Sequence, residues 1–483
     1  MRAHRILAIS FLVLFCLFWI NSRSKIDAQF VARDPGPRGG KVGAGDPVAG
    51  LTPQQRAFFM NGMQRFAEVD SVSGNLSGET GTGLGPTFNS NQCASCHSQP
   101  AMGGTSPSRT AYPYIGPNPQ VAVANLDGAL NTLPSFITDD GPVREARFKY
   151  FLDSNGGLST QRDGGVHGVF TIRGRADATN RGGMTGHIQT CGLTQPDFDQ
   201  MRQLNNLSFR IPTPVFGAGL IENITEETIL ANLARDWQMK QSLGISGHPN
   251  RNGNDGTITR FGWKAQNKSL QVFAGEAYNV EMGVSNEMFP NERGYAPASP
   301  PANCLFNPTP EDHTNMGDEI GDPPQVPSDV VQFANFMRYL DQPTPACQGA
   351  ACSGAIQNGR SLFASVGCAL CHTPAMRTTA SYFGNALSNK DANLYSDLLV
   401  HHMGSGLADD IIQGNAGPDE FRTAPLWGLG QRVFFLHDGR TQDLVETIRQ
   451  HAGAGSEANG VVTRYNHLTE SQKQDLLDFL RSL

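Results

Sequence analysis

The sequence predicts a mainly α chain of two tandem units, the first enlarged by long loops and short strands. Three observations point there. A small pattern occurs twice, as Asn61-Gly62, three residues and Phe66, and as Asn358-Gly359, three residues and Phe363, each beginning a helix that presents an aromatic ring. Two segments, Val330 to Leu340 and Lys473 to Leu483, repeat apolar residues at three- and four-residue steps, the signature of a helix with one buried face. Gly 54 and Pro 30 among 483 residues exceed the usual share and join the helices with long, ordered loops.

Hydrophobic residues at 39% and charged ones at 17% supply two ordinary cores and exclude disordered, collagen-like and polytopic membrane classes. Lys+Arg 37 against Asp+Glu 44 leaves a net charge of −7, and without a basic run nucleic acid is excluded as a partner. Residues 1–28 read as a signal peptide or an N-terminal anchor. Their apolar run from Ile6 to Ile20 would rise about 22 Å as a helix, short of a roughly 30 Å hydrocarbon core, and so resembles a secretory segment. Ile26-Asp27-Ala28 is the best cleavage candidate, and an uncut anchor is the alternative. The expected location is the periplasm, with or without a membrane tether. Residues 29–50 carry Pro35, Pro37 and Pro47 among glycines and read as a linker before a helix start at Thr52-Pro53. Unit one runs from 51 to 340 and unit two from 355 to 483, with a Pro- and Gly-rich joint between them. Thr469 and Glu470 cap and charge the start of the last helix. In unit one, Val166 to Gly174 and Arg210 to Ile221 alternate as short strands or a hairpin would.

Nine cysteines are present, and four of them form Cys93-Ala-Ser-Cys96-His97 and Cys368-Ala-Leu-Cys371-His372. Two thiols at this spacing can add to the vinyl groups of one haem, and the adjacent histidine then reaches the iron. Zinc sites and redox dithiols are the alternatives, and a histidine directly after the second cysteine suits neither well. The expectation is two covalently bound haem c groups in two tandem cytochrome c-like domains. Cys347 and Cys352 flank a short segment and pair, which leaves Cys191 for Cys304, with free buried thiols as the alternative.

The residue on the other face of each iron decides between electron transfer and oxygen or peroxide chemistry. In unit two the candidates are Met376, His401, His402, Met403 and His437. Met376 follows His372 too closely to cross, and Met403 is favoured, its thioether raising the potential of the haem that receives electrons. An ordinary core methionine is the bland reading. In unit one no histidine follows His97 until His167 and then His187, which suggests an open distal site unless one of these swings in. O–O cleavage also needs a proton donor and an electron route. Glu222 and Glu281 are the carboxylates set in apolar sequence, where burial would raise a pKa, and Trp263 is placed to relay electrons between haems. Arg260 and Lys264 flank that tryptophan and could neutralise propionates. Solvated acids and a packed tryptophan are the plain readings of the same residues.

The stretches Phe88 to His97, Arg210 to Asn223, Arg260 to Ala265, Tyr395 to Gly406 and Phe421 to Arg440 together resemble the di-haem oxidoreductase family of peroxidases. That family is allied to bacterial di-haem cytochrome c peroxidases and to the maturation enzyme of methylamine dehydrogenase. The resemblance implies a mainly α, two-domain fold with a peroxidatic N-terminal haem on His97 and a Met-ligated C-terminal haem on His372 and Met403. It also implies a calcium ion at the domain interface, with Thr423, Pro425 and Asn118 as counterparts of its ligands, and places His437 beside the iron instead of on it. The missing histidine soon after the first motif departs from the bacterial peroxidases. The expected activity is reduction of hydrogen peroxide with electrons from a small cytochrome c or cupredoxin. Oxidation of an organic or protein substrate and non-enzymatic electron transfer are the alternatives.

Overall fold

The computed structural model describes residues 30–110, 116–178, 191–294, 299–315 and 326–483. The signal or anchor segment and the candidate His187 lie outside these residues. The helices that position the site are α1 (Pro53–Phe66), α2 (Ala218–Glu222), α3 (Leu270–Met282), α4 (Asp329–Tyr339), α5 (Gly354–Val366) and α6 (Glu470–Ser482). Thr52 caps α1 through a reciprocal bond with Gln55, and Pro53 opens it, since proline has no N–H to leave unpaired there. Thr469 and Gln472 close the same arrangement at α6.

Two helix pairs anchor the chain, α1 against α4 and α5 against α6. The repeated Asn-Gly pattern lies well inside α1 and α5, not at their starts, and its glycines let the helices touch. A Cβ on Gly62 would lie 2.2 Å from the Gln332 carbonyl oxygen, and one on Gly359 would lie 1.9 Å from that of Asp475. Each crossing brings an aromatic pair together, Phe66 with Phe336 at 4.8 Å and Phe363 with Phe479 at 5.4 Å.

The expectation of a mainly α chain is corrected: the chain is 32% helical with 14% strand, a mixed α/β composition. Its physical origin is the long insertion between α1 and α4 together with the loops between α5 and α6, where short antiparallel pieces pair. Strands β1 (Glu145–Phe148), β2 (Val166–His167) and β3 (Leu207–Arg210) form one sheet in the order β2-β1-β3, and β4 (Val400–His402) pairs with β5 (Glu420–Arg422) in another. The segment Arg210 to Ile221 contributes only its first residue to a strand and then turns into α2. Residues directly opposite share a face, so the Glu145–Arg210 and Arg147–Ser208 pairs set Glu145, Arg147 and Arg210 on one side of the sheet.

The core of the first helix pair also takes in Met376, Leu387, Leu394 and Leu398 from beyond α5, while Ala32 joins the core of the second pair. Residues 30–50, read as a linker, are a pinned strap. Asp34 pairs with Arg481 of α6 at 2.6 Å, and both side chains are buried. The strap then bonds Arg38 N to the Gly430 carbonyl and Val48 N to the Tyr339 carbonyl, so it spans both helix pairs. Disulfides join Cys191 to Cys304 and Cys347 to Cys352. Among the described residues no helix is long and apolar enough to cross a membrane.

The glycine crossings give a direct test. Gly359→Ala should lower the Tm of the protein measured by circular dichroism, at an overpacking cost of about 1–3 kcal/mol. An unchanged Tm would show that α5 and α6 separate freely.

Candidate active site: two cavities over the CxxCH segments

In each CxxCH segment a main-chain carbonyl fixes the imidazole. His97 Nδ1 donates to the Gly104 carbonyl at 2.9 Å, with the Thr213 carbonyl also facing the ring, and His372 Nδ1 donates to the Tyr395 carbonyl at 3.0 Å. That tautomer places the lone pair on Nε2. Burial pushes both rings down to about 4, so both are neutral bases at ordinary pH. Phe66 and Phe363, the aromatics of the repeat, approach these rings at 5.9 and 6.4 Å.

The first cavity is lined by Cys93, Cys96 and His97, and by Glu145, Arg147 and Glu281 among others. Strand β1 delivers the first two of these acid and base groups, and the last turn of α3 delivers Glu281. Glu145 accepts from Arg147 Nε at 2.6 Å and shares a hydrogen bond with Glu281. Burial and the neighbouring Glu145 raise Glu281 well above the usual carboxylate range, while Arg147 holds Glu145 down. The pair therefore keeps one proton, on Glu281. Among the described residues the wall holds no histidine besides His97. His167 is elsewhere, stacked on Phe148 at 3.8 Å and bonded to Asp163 at 2.8 Å.

The second cavity is lined by Cys368, Cys371, His372, His401, Met403, His437 and His451. Its candidates separate on hydrogen bonding. His401 lies between Asp397 at 3.0 Å and Glu457 at 2.8 Å, and a ring held by a carboxylate at both nitrogens is an imidazolium with no lone pair to offer. The cluster of Cys371, Asp397 and His401 takes its thiol from the CxxCH segment. His402 is half exposed, pairs with Asp419 and Glu420, and is not in the wall. His437 stacks on Phe421 at 4.3 Å, and His451 Nδ1 is tied to the Thr447 carbonyl at 2.7 Å. Met403 lines the cavity, its backbone held by the Asp419 carbonyl.

Both cavities fit haem in the chemistry of their walls: two thiols, a neutral imidazole and an apolar lining. A sharper sign lies in the second. Arg422 and Arg432 line it, burial lowers each to about 10, and among the described residues neither meets a carboxylate. Two buried guanidiniums facing one space call for an anionic ligand there, as haem propionates would be.

Trp263 belongs to the walls of both cavities, with Nε1 donating to the Ile211 carbonyl at 2.9 Å. Glu222 does not reach either cavity. It caps α3 at Leu270 N and pairs with Arg338 at 2.8 Å, a structural role. Arg260 and Lys264 are likewise engaged away from the cavities, the first with carbonyls around Ile224 and the second with Asp409 at 3.1 Å. The calcium expectation does not fit. The Pro425 carbonyl accepts from the Arg432 guanidinium, a positive charge where a cation would sit, and Asn118 Oδ1 is taken by Gln120 N. Sequence reading missed Glu145, Arg147, Arg422, Arg432 and His451. The alternation of Glu145 and Arg147 about one strand position was the available signal for the first two.

The buried pair makes stability depend on pH. Because the folded carboxyl of Glu281 lies above its unfolded value, its stabilising contribution is present below the unfolded pKa and is lost as pH rises toward the folded one. Glu281→Gln should therefore flatten the fall of Tm as pH rises above the ordinary carboxylate range. A variant whose Tm falls as steeply as that of the unaltered protein would refute the shared proton.

Over residues 168–483 the chain matches the family described as "Di-haem oxidoreductase, putative peroxidase". The match includes the second CxxCH segment and begins after the first. No curated protein matches the chain. Among solved structures, a hydrazine synthase from Kuenenia stuttgartiensis is similar at 19% identity and a TM-score of 0.23, over 35% of this chain and 59% of that one. The chain thus spans less than two thirds of that protein. A MauG-like protein associated with microbial copper homeostasis is similar at 16% identity and a TM-score of 0.26, over 54% of this chain and 89% of its own. Since the family match takes in well over half of the sequence, the chain belongs to the di-haem oxidoreductases, whose cofactor is haem.

Proposed function

We propose that the protein carries two covalently attached haem c groups and reduces hydrogen peroxide in the first cavity with electrons delivered through the second. The observation that carries this reading is the Glu145–Glu281 pair, a buried carboxyl with its own proton in the wall that also holds His97. Cys93 and Cys96 would hold one haem and Cys368 and Cys371 the other, with His97 and His372 as proximal ligands and Met403 as the second ligand of the latter. Bound there, haem supplies the electron transfer that O–O cleavage requires.

The chain's own residues set up that chemistry. Glu281 donates its proton to the departing peroxide oxygen, and Glu145, kept ionised by Arg147, helps to take it back from water. Trp263, which lies in both walls, provides the protein route between them. Arg422 and Arg432 neutralise the propionates of the second haem. The reductant is a small soluble cytochrome c or a cupredoxin docking on the side of the second cavity. The periplasm suits this reading, because the apolar run from Ile6 to Ile20 precedes a chain with two disulfides, which persist in oxidising compartments.

Two variants test the assignment on the haem-loaded protein. Glu281→Gln should lower peroxide turnover by about 10²–10⁴-fold, the usual reach of a general acid, and leave the optical spectrum intact. Met403→Ala should abolish the low-spin, methionine-type band of the second haem. Full turnover in the first variant, or a surviving band in the second, contradicts the role assigned to that residue, and pigment that extracts into acidified acetone contradicts covalent attachment.

A further inference from the structure

Tyr278 is a buried group that the reading above leaves unused. It lies on α3 one turn before Glu281, is 4% exposed and lines the first cavity. Its hydroxyl donates to Asp70 Oδ2 at 2.9 Å, and Asp70 is equally buried. Asp329, in the first turn of α4, lies beside the same hydroxyl and pairs with Arg65 at 3.3 Å. Arg65 in turn binds Glu68 at 2.5 Å where the side chain reaches solvent. A line of acid groups therefore runs from the cavity wall to the surface through Tyr278.

Tyrosine gives up an electron readily only when its phenolic proton can leave at the same time, so a base at hydrogen-bond distance decides which tyrosines are redox-active. Tyr278 has such a carboxyl in Asp70, and Asp329 and Asp312 lie near enough that their ionised forms further favour loss of an electron from the ring. Asp70 accepts the phenolic hydrogen bond, so its ionised form is the one placed to take the proton, and burial makes that ionised form a stronger base than a solvated carboxylate. The ring is shielded by Phe333, edge-on at 5.0 Å. Tyr465 in the second cavity provides the contrast, since its buried hydroxyl has no hydrogen-bond partner among the described residues.

We infer that Tyr278 is an internal one-electron donor to the first cavity, with Asp70 as its proton acceptor. The inference deepens the peroxide reading and rests on it. Reducing one hydrogen peroxide to two waters takes two electrons and two protons. When external reductant is scarce, Tyr278 supplies one of those electrons to the haem from which peroxide has drawn them. Its Oη–H bond breaks, an O–H bond forms on Asp70, and the phenol becomes a neutral radical. A later electron from the reductant and the proton returned by Asp70 restore the phenol.

The test is electron paramagnetic resonance of the haem-loaded protein, frozen soon after one equivalent of hydrogen peroxide is added without reductant, with the optical spectrum recorded in parallel. The expected signal is a tyrosyl radical that narrows when the protein is grown on ring-deuterated tyrosine. It should be lost in Tyr278→Phe, weakened in Asp70→Asn and unchanged in Tyr465→Phe. Deuterium labelling needs no substitution, so a variant that folds poorly does not remove the test. A signal that survives Tyr278→Phe, or haem bands that respond to peroxide with no tyrosyl signal at all, would overturn the inference alone. Haem bands that do not respond to peroxide would overturn the peroxide reading and this inference with it.

Discussion

Two main-chain carbonyls, those of Gly104 and Tyr395, decide what the CxxCH histidines can do. By accepting Nδ1–H they leave the lone pair of each imidazole on Nε2, and burial keeps both rings neutral. The helix crossings support this. With no side chain on Gly62 and Gly359, α1 and α5 lie against their partners closely enough that Phe66 and Phe363 reach the same two rings. The chain repeats one device at both ends, and the two sites differ only in what surrounds it.

That difference is chemical. Around His97 the short sheet sets Glu145 and Arg147 beside Glu281, giving a wall with a proton to donate. Around His372 the wall is rich in groups that occupy or neutralise: Met403, three further histidines and two guanidiniums that meet no carboxylate among the described residues. On the proposed function, one cavity serves a small reactant and the other a fully enclosed cofactor. Trp263 stands between them, and the strap from Asp34 to Val48 ties both helix pairs into one body.

Much of this was legible in the sequence because it rests on local spacing. The CxxCH segments, the capped helices, the Asn-Gly repeat and the position of Met403 depend on residues close together in the chain. What depends on strand pairing was hidden. Glu145 gains its meaning only when β1 sets it against Arg210 and beside Glu281, which is 136 positions later (281 − 145). Glu222 looked similar to Glu281 in its apolar setting, yet Arg338, brought over by α4, neutralises it. The mixed composition arose the same way, since strands of two to five residues leave little trace in hydropathy. Residues 30–50 read as a linker because proline and glycine suggest freedom, whereas their backbone and side-chain ties repeatedly reach residues more than 290 positions away.

The central claim is that one haem is open and the other closed. Titrating the oxidised, haem-loaded protein with cyanide while following its absorption bands tests this most directly. The account predicts that one equivalent binds per chain and converts the high-spin bands of a single haem. Uptake of none, or of two equivalents with equal affinity, would contradict it.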